Sequence, residues 1–418
     1  MADSEIEGYL ISDGVPDNML IPYDVIASKA HASMLMSIGI LTEEECASLL
    51  EGLEEIVDLY ERGEFVVGDG DEDCHTAIER FLTEKYGDAG KKIHTGRSRN
   101  DQVLAASRLM MKGQVTRLME ASKELAKDFL TVAKKYQNVP FPGYSHSQQA
   151  MLSSLGHYFS SFCESLLDDR SMQGMAMELI DQNPLGSAAG FGVAFPLDRE
   201  ATTKAMGFSR VQQNSLYCQT SRGKFESFVL ESLVQTMLTL GRFAQDMIIY
   251  TTQEFDYFSV DEAMTTGSSI MPQKKNLDYM EVLRGYVSVV ISYQHQVQDL
   301  AKNQLSGYNK DLKFVKIPII KSFEIVMDSL KVVSKMLKGI TPNEEVIEAK
   351  LSKGIFAADV ANKLVKEKGL AFRDAYVVVM EEIGKMDFDF EENLRSKLSL
   401  GAPGNLNLEK YEDEIKRM

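Results

Sequence analysis

Four short stretches of this 418-residue chain gather side chains that can hold an anion or move a proton. GSSIMPQKKN (267–276) sets Ser268 and Ser269 beside Gly267, then Lys274, Lys275 and Asn276 after Pro272. Glycine and proline predict a loop, yet Ile270 and Met271 are too apolar for a plain solvated linker. Read alone, the stretch is either a hinge between helices or an active-site lid. As a lid, its serines supply hydroxyls and backbone donors, and Lys274 and Asn276 recognise an anion. HTGRSRNDQV (94–103) places His94, Arg97 and Arg99 at a helix start. Ser98 or Asn100 can cap that helix, and Asp101 suits its positive end. Capping does not account for the two arginines, whose guanidinium groups beside free helix N–H groups suit carboxylate or phosphate. PGYSHSQQAM (142–151) follows a Pro-x-Pro break and predicts the opening of another helical run. His146, flanked by Ser145, Ser147 and Gln148, is either part of a polar helix start or a general acid or base. GYNKDLKFVK (307–316) spaces Lys310, Lys313 and Lys316 at i, i+3 and i+6 behind Tyr308, the pattern of a solvated cationic helix face.

Two metal readings fail on spacing. Asp69, Asp71 and Asp73 match the first ligands of a calcium loop, but Cys74 stands where its glycine belongs and Arg80 where its last glutamate belongs. A solvated turn that caps the following helix is expected instead. The six histidines form no HxxxH or HExxH pair, and the four cysteines no CxxC, so no metal is expected. The scattered cysteines read as reduced thiols of a cytoplasmic protein.

The elements that must position these groups are long helices. Of ten prolines, none falls within 23–139 or 197–271. Val115, Leu118, Ser122, Leu125, Phe129, Val132 and Tyr136 step by alternating threes and fours. So do Leu230, Leu233, Met237, Leu240, Ala244 and Met247, and again Tyr286, Val290, Tyr293, Val297 and Leu300. These are seams of nearly parallel helices, alternating strand patterns are scarce, and the fold class is all-α. Punctuation divides the chain into a shorter-helix domain (1–96), a central long-helix domain (97–342) and a small lysine-rich helical domain (343–418). Apolar faces this long exceed what one chain covers, so oligomerisation through a shared bundle is expected.

A net charge of −17 argues against nucleic acid as a partner, because phosphate binding needs a basic face. The acidic start, MADSEIEGYLISDG, does not read as a signal peptide, and no apolar run reaches membrane-spanning length.

GSSIMPQKKN resembles the signature of the fumarase/aspartase superfamily, and together with HTGRSRNDQV it looks specifically like argininosuccinate lyases. YDVIASKAHASMLMSIGILT (23–42), NPLGSAAGFGVAFPLDRE (183–200) and QNSLYCQTSR (213–222) are similar to segments of that family in the same order. The resemblance implies a three-domain, all-α homotetramer built on a bundle of twenty helices, with each active site assembled from three subunits. It implies cofactor-free elimination of argininosuccinate to arginine and fumarate, as in arginine biosynthesis. Ser268 is the matching base, His146 the matching acid, and Glu281 the carboxylate that pairs with that histidine. The matching substrate-binding positions are Ser28, Ser98, Asn100, Ser145, Lys274, Asn276, Tyr308, Lys313 and Lys316, with Arg97 and Arg99 near the carboxylates. This chain departs from the family at Ser145, where threonine is usual, at Leu277, where proline is usual, and at Lys313, where glutamine is usual. HTGRSRND speaks against adenylosuccinate lyase or aspartase. Retention of Ser268, His146, Glu281 and Lys274 speaks against a silent, crystallin-like relative.

Overall fold

The computed structural model describes residues 17–68 and 71–418. The acidic start and Asp69, the first position of the calcium-like turn, lie outside the described residues. Helices dominate, as the proline-free intervals and heptad-like seams predict, and the fold is all-α. Among the described residues the strands form only two-stranded pairs. Among the described residues no helix is long and apolar enough to cross a membrane.

Among the described residues the first helices are α1 (Ile21–Ser37), α2 (Glu43–Glu61) and α3 (Cys74–Tyr86). Their starts follow from local chemistry. Proline in the first turn suits α1, where its missing N–H is not needed. Thr42 and Glu45 form a reciprocal capping box on α2, with bonds of 3.0 and 3.1 Å. Asp73 accepts from the Thr76 amide at 2.9 Å and caps α3, as expected of the acidic turn. Asp71 is not solvated, however: it is buried and takes a bidentate pair from Arg80, the residue standing where calcium would need a glutamate. Five long helices follow: α4 (Arg99–Lys135), α5 (Leu155–Ile180), α6 (Lys224–Tyr250), α7 (Asp278–Ala301) and α8 (Lys316–Gly339).

The chain forms two compact units, each built from separated stretches of sequence. The first comprises Met1–Leu118, Met172–Val234 and Val290–Glu324. In it Ala27 and Ala30 of α1 pack with Ala105 and Leu109 of α4 and with Leu185, Met206 and Phe208, small residues that allow close helix approach. A fully buried arginine ties this unit's loops together. Arg108 donates to the Gln182 carbonyl (2.9 Å), Gln212 Oε1 (2.6 Å) and Ser221 Oγ (3.0 Å), and lies over the Phe225 ring. Burial pulls its pKa down to about 10, which leaves it charged at neutral pH.

The second unit comprises Met119–Ser171, Gln235–Val289 and Ile325–Met418. Its core includes Phe129, Phe162 and Phe243, one each from α4, α5 and α6, with ring centroids 5.1–5.5 Å apart. Their geometry is stacked in one pair and edge-on in the other two, which suits the ring quadrupoles.

The six seam residues of α6 are all buried. The α7 seam is different: Val290 and Val297 are buried, but Tyr286 is 41 % exposed and continues an exposed apolar row of Tyr279, Val282 and Val289.

One expected element is wrong. Residues 142–151 do not open a helix; they belong to a hairpin of β1 (Pro140–Ser145) and β2 (Gln148–Ser154), and helix α5 starts only at Leu155. Proline lacks an N–H and disfavours helix in the residue before it, so Pro140 and Pro142 suit a short edge strand. The turn residues His146 and Ser147 lack the Asn-Gly chemistry that announces such hairpins.

Candidate active site

In the second unit the 267–276 stretch is itself a small hairpin. β3 (Thr266–Gly267) pairs antiparallel with β4 (Lys275–Asn276), so both ends of the loop are pinned and its tip projects. Thr266 Oγ1 donates to Asp278 in the first turn of α7, and Lys275 pairs with Glu262 at 2.9 Å. Ser268 Oγ accepts from the backbone amides of Met271 (3.1 Å) and Ile270 (3.4 Å). Lys274 is exposed and Ile270 is 82 % exposed, so the loop presents a cation and an apolar surface to whatever closes on it.

His146 stands at the tip of the β1–β2 hairpin in the same unit. The tip is a two-residue turn with φ of 52° at His146 and 60° at Ser147, both left-handed and both non-glycine. A register shift after Gly143 bends the strand just before Tyr144. Tyr144 anchors the bend: its hydroxyl meets that of Tyr257 at 2.9 Å inside an aromatic cluster with Tyr250 and Phe255. The exposed imidazole is therefore held by a strained turn on a rigid base. Ser147→Gly should relieve that strain and stabilise the protein by about 1 kcal/mol, read as a raised urea midpoint with unchanged turnover. Glu281 lies exposed in the first turn of α7. Neither the His146 nor the Glu281 side chain has a hydrogen-bond or ion-pair partner among the described residues, so one chain does not pair them.

The first unit holds a buried polar array at the start of α4. Arg97 donates to Ser28 Oγ at 2.9 Å, Ser28 lies 3.4 Å from Asp24 Oδ1, and Asp24 Oδ2 meets His75 Nδ1 at 2.8 Å. All four residues are buried, and Arg97 Nε has no hydrogen-bond partner. Burial lowers the Arg97 pKa against the opposing charges of Asp24 and Asp101. Burial also opposes ionisation of His75, but Cys74 and the Asp24 carboxylate outweigh it and hold the pKa well above the ordinary value. Because burial keeps Cys74 a neutral thiol, the carboxylate is the charge that matters. Ser98 and Asp101 cap α4 as expected: Asp101 Oδ1 accepts from the Ser98 amide (2.9 Å), and Ser98 Oγ accepts from Asn100 (3.3 Å). Asp101 Oδ2 also accepts from the Gly186 and Ala188 amides, which fixes the 183–190 loop over the helix start. Arg99 is turned to the acidic turn, where it pairs with Glu72 and donates to Thr76 Oγ1.

Residues Lys310–Val315 form a 3₁₀ turn that runs into α8. The 3₁₀ period of three aligns Lys310 with Lys313 on one face. That face is not simply solvated. Lys310 lies 3.4 Å from Glu72, Lys313 sits over the Phe314 ring, and Lys316 is a largely buried partner of Asp17. Tyr308 has the Arg222 guanidinium over its ring, 5.5 Å from the centroid. Arg222, a residue outside the sequence-based candidates, is thereby placed beside Tyr308.

Asp24, Cys74 and His75 also offer three potential metal-ligand atoms within 4.8 Å of one another. The close Asp24–His75 contact already satisfies the imidazole nitrogen that would have to turn toward an ion.

An all-α frame that carries anion-binding groups on loops and helix starts fits a lyase, and residues 11–292 match the family model described as Lyase. Argininosuccinate lyase of Thermotoga neapolitana is 40 % identical over 384 residues, covering 92 % of this chain and 96 % of its own length. That of Bacteroides fragilis is 39 % identical, over 97 % of this chain and 90 % of its own. The solved structure of an EDDS lyase in complex with formate superposes with a TM-score of 0.85 at 22 % identity, covering 97 % of this chain and 87 % of that one. This last likeness is one of fold. The chain belongs to the argininosuccinate lyase family of the fumarase/aspartase superfamily.

Proposed function

We propose that the protein cleaves argininosuccinate to L-arginine and fumarate, reversibly and without a cofactor, as a cytoplasmic enzyme of arginine biosynthesis. Sequence identity of 40 % across nearly the full length of a relative bearing that name supports the reaction. The geometric observation that carries the mechanism is the placement of Ser268 Oγ against two backbone amides. A serine is a poor base unless its alkoxide is stabilised, and N–H donors aimed at Oγ do that. Ser268 removes the proton from the succinyl carbon β to the C–N bond. The resulting carbanion spreads charge onto its carboxylate as an aci-form, held by Lys274 and Asn276; one such donor contributes roughly 3–4 kcal/mol. The guanidinium nitrogen leaves, with His146 as its proton donor directly or through water, and Glu281 favours the charged imidazole. Ser28, Arg97, Ser98, Asn100 and Ser145 bind the succinyl side, with Arg99 at its edge. Tyr308, Lys313 and Lys316 bind the amino-acid end.

The sites form between subunits of a homotetramer of three-domain chains. The exposed apolar row on α7 and the lack of a His146–Glu281 contact within one chain both support this reading. A stable folded monomer in sedimentation at micromolar concentration would contradict it.

Release of fumarate from argininosuccinate, followed by ultraviolet absorbance, tests the proposal. Release from adenylosuccinate or aspartate instead would overturn the substrate, and silence on all three would indicate a non-catalytic relative. Lys313→Gln should change KM more than kcat, because Lys313 is assigned to binding alone; a large loss confined to kcat would remove that assignment.

A further inference from the structure

Arg222 is a charged residue that the proposed chemistry leaves unused. It is only 6 % exposed, and its guanidinium makes no hydrogen bond or ion pair among the described residues. A guanidinium this enclosed and without a protein acceptor is placed to take a counter-charge from a ligand. Its position is closely fixed. Arg108 holds the neighbouring Ser221, while Gly223, at φ +85°, accepts the approach of Ala301, which would lie 2.6 Å from any Cβ added there. The amide of Gly223 donates to Glu226 at 2.6 Å, locking the turn into the start of α6. The guanidinium lies over the face of Tyr308.

Arg222, Glu226 and Lys316 line one cleft of the first unit, with Met110, Met111 and Ile319 among its apolar walls. Lys316 is tied to Asp17, which leaves the Arg222 fork as the uncommitted cation. The cleft also carries a carboxylate, that of Glu226. A cationic fork and a carboxylate in one cleft match a zwitterionic amino-acid head: a carboxylate for the guanidinium and an ammonium for the acid. We infer that Arg222 is the specificity-determining residue for the α-carboxylate of the substrate's amino-acid end. This rests on the lyase reading and refines it.

The reverse reaction separates the two. Purified enzyme is given fumarate with either L-arginine or agmatine, which has the same guanidinium but no carboxylate, and consumption of fumarate is followed. Wild type should prefer L-arginine by about 10–100-fold in kcat/KM, the worth of a hydrogen-bonded charge pair. Arg222→Gln should bring the preference to within a few-fold, chiefly by raising KM for L-arginine, with the agmatine rate little changed. Arg222→Lys, which keeps the charge and the packing stem but loses the fork, should retain an intermediate preference. It also carries the test if the glutamine variant fails to fold. A full wild-type preference in folded Arg222→Gln, or in Arg222→Lys should that variant have to stand in, overturns the inference. No wild-type addition to either amine, with no fumarate release from argininosuccinate, overturns the lyase reading instead.

Discussion

Ser268→Ala should lower kcat by roughly 10²–10⁴-fold, the usual contribution of a positioned acid or base, and leave substrate binding largely intact. The expectation follows from what the hydroxyl does and does not touch. Its oxygen accepts from the Ile270 and Met271 amides at the loop tip, while the β3–β4 pairing that shapes the loop is made by backbone atoms at Thr266, Gly267, Lys275 and Asn276. Removing the oxygen therefore deletes the proton acceptor without unmaking the hairpin or moving Lys274 and Asn276. Two freed amides on an exposed loop find water, so no folding defect is expected. Single-turnover rates together with calorimetric binding of argininosuccinate separate the two quantities. A kcat like that of wild type would remove Ser268 as the base. Loss of binding equal to the loss of rate would make it a binding residue instead.

Helix seams were legible because burial on one face of a long helix leaves a period of three and four, and Leu230 to Met247 are buried as that period requires. The α7 seam shows the limit of the same signal. A period reports that a stripe is apolar, not what covers it, and Tyr286 is exposed within one chain. The loop at 267–276 was legible from its glycine, proline and cations, and its pinned hairpin ends were not, because a two-residue strand carries no alternation. The helix start at Arg99 was legible from Ser98 and Asp101, whose capping bonds are local. The hairpin holding His146 was missed because its turn uses two left-handed residues that are not glycine or asparagine. Long-range partners were beyond any local pattern. Nothing near Arg222 announces Tyr308, and nothing near His75 announces Asp24, fifty-one positions earlier.

That last pair supports the second large effect. Asp24→Ala should destabilise the protein by about 3–5 kcal/mol, the cost of removing one partner of a buried ion pair. The side chain serves three neighbours at once. It meets His75 at 2.8 Å, lies 3.4 Å from the Ser28 hydroxyl, and supplies negative charge facing the buried Arg97. The pH dependence distinguishes this account from a simple packing loss. In the wild type the folded pKa of His75 lies well above its unfolded value of roughly 6.5, so its contribution is fully present below that pH and is lost as pH rises through the folded value. In Asp24→Ala, burial is left to act almost alone and depresses the folded pKa of His75 below 6.5. The sign then reverses, and the variant loses stability as pH falls through the unfolded value. The gap between the two proteins should therefore widen on acidification from pH 8 toward pH 6, measured as the difference in urea midpoints. Asp24→Asn, which keeps an acceptor but no charge, should show a smaller loss and the same widening of the gap on acidification. A gap that is constant across the range would mean that His75 does not titrate against Asp24, and one below about 1 kcal/mol would place the pair outside the buried ion-pair class. Because Ser28 contacts that carboxylate and Arg97 donates to Ser28, the variant should also raise KM for argininosuccinate, tying the stability of the array to its capacity to bind the succinyl end.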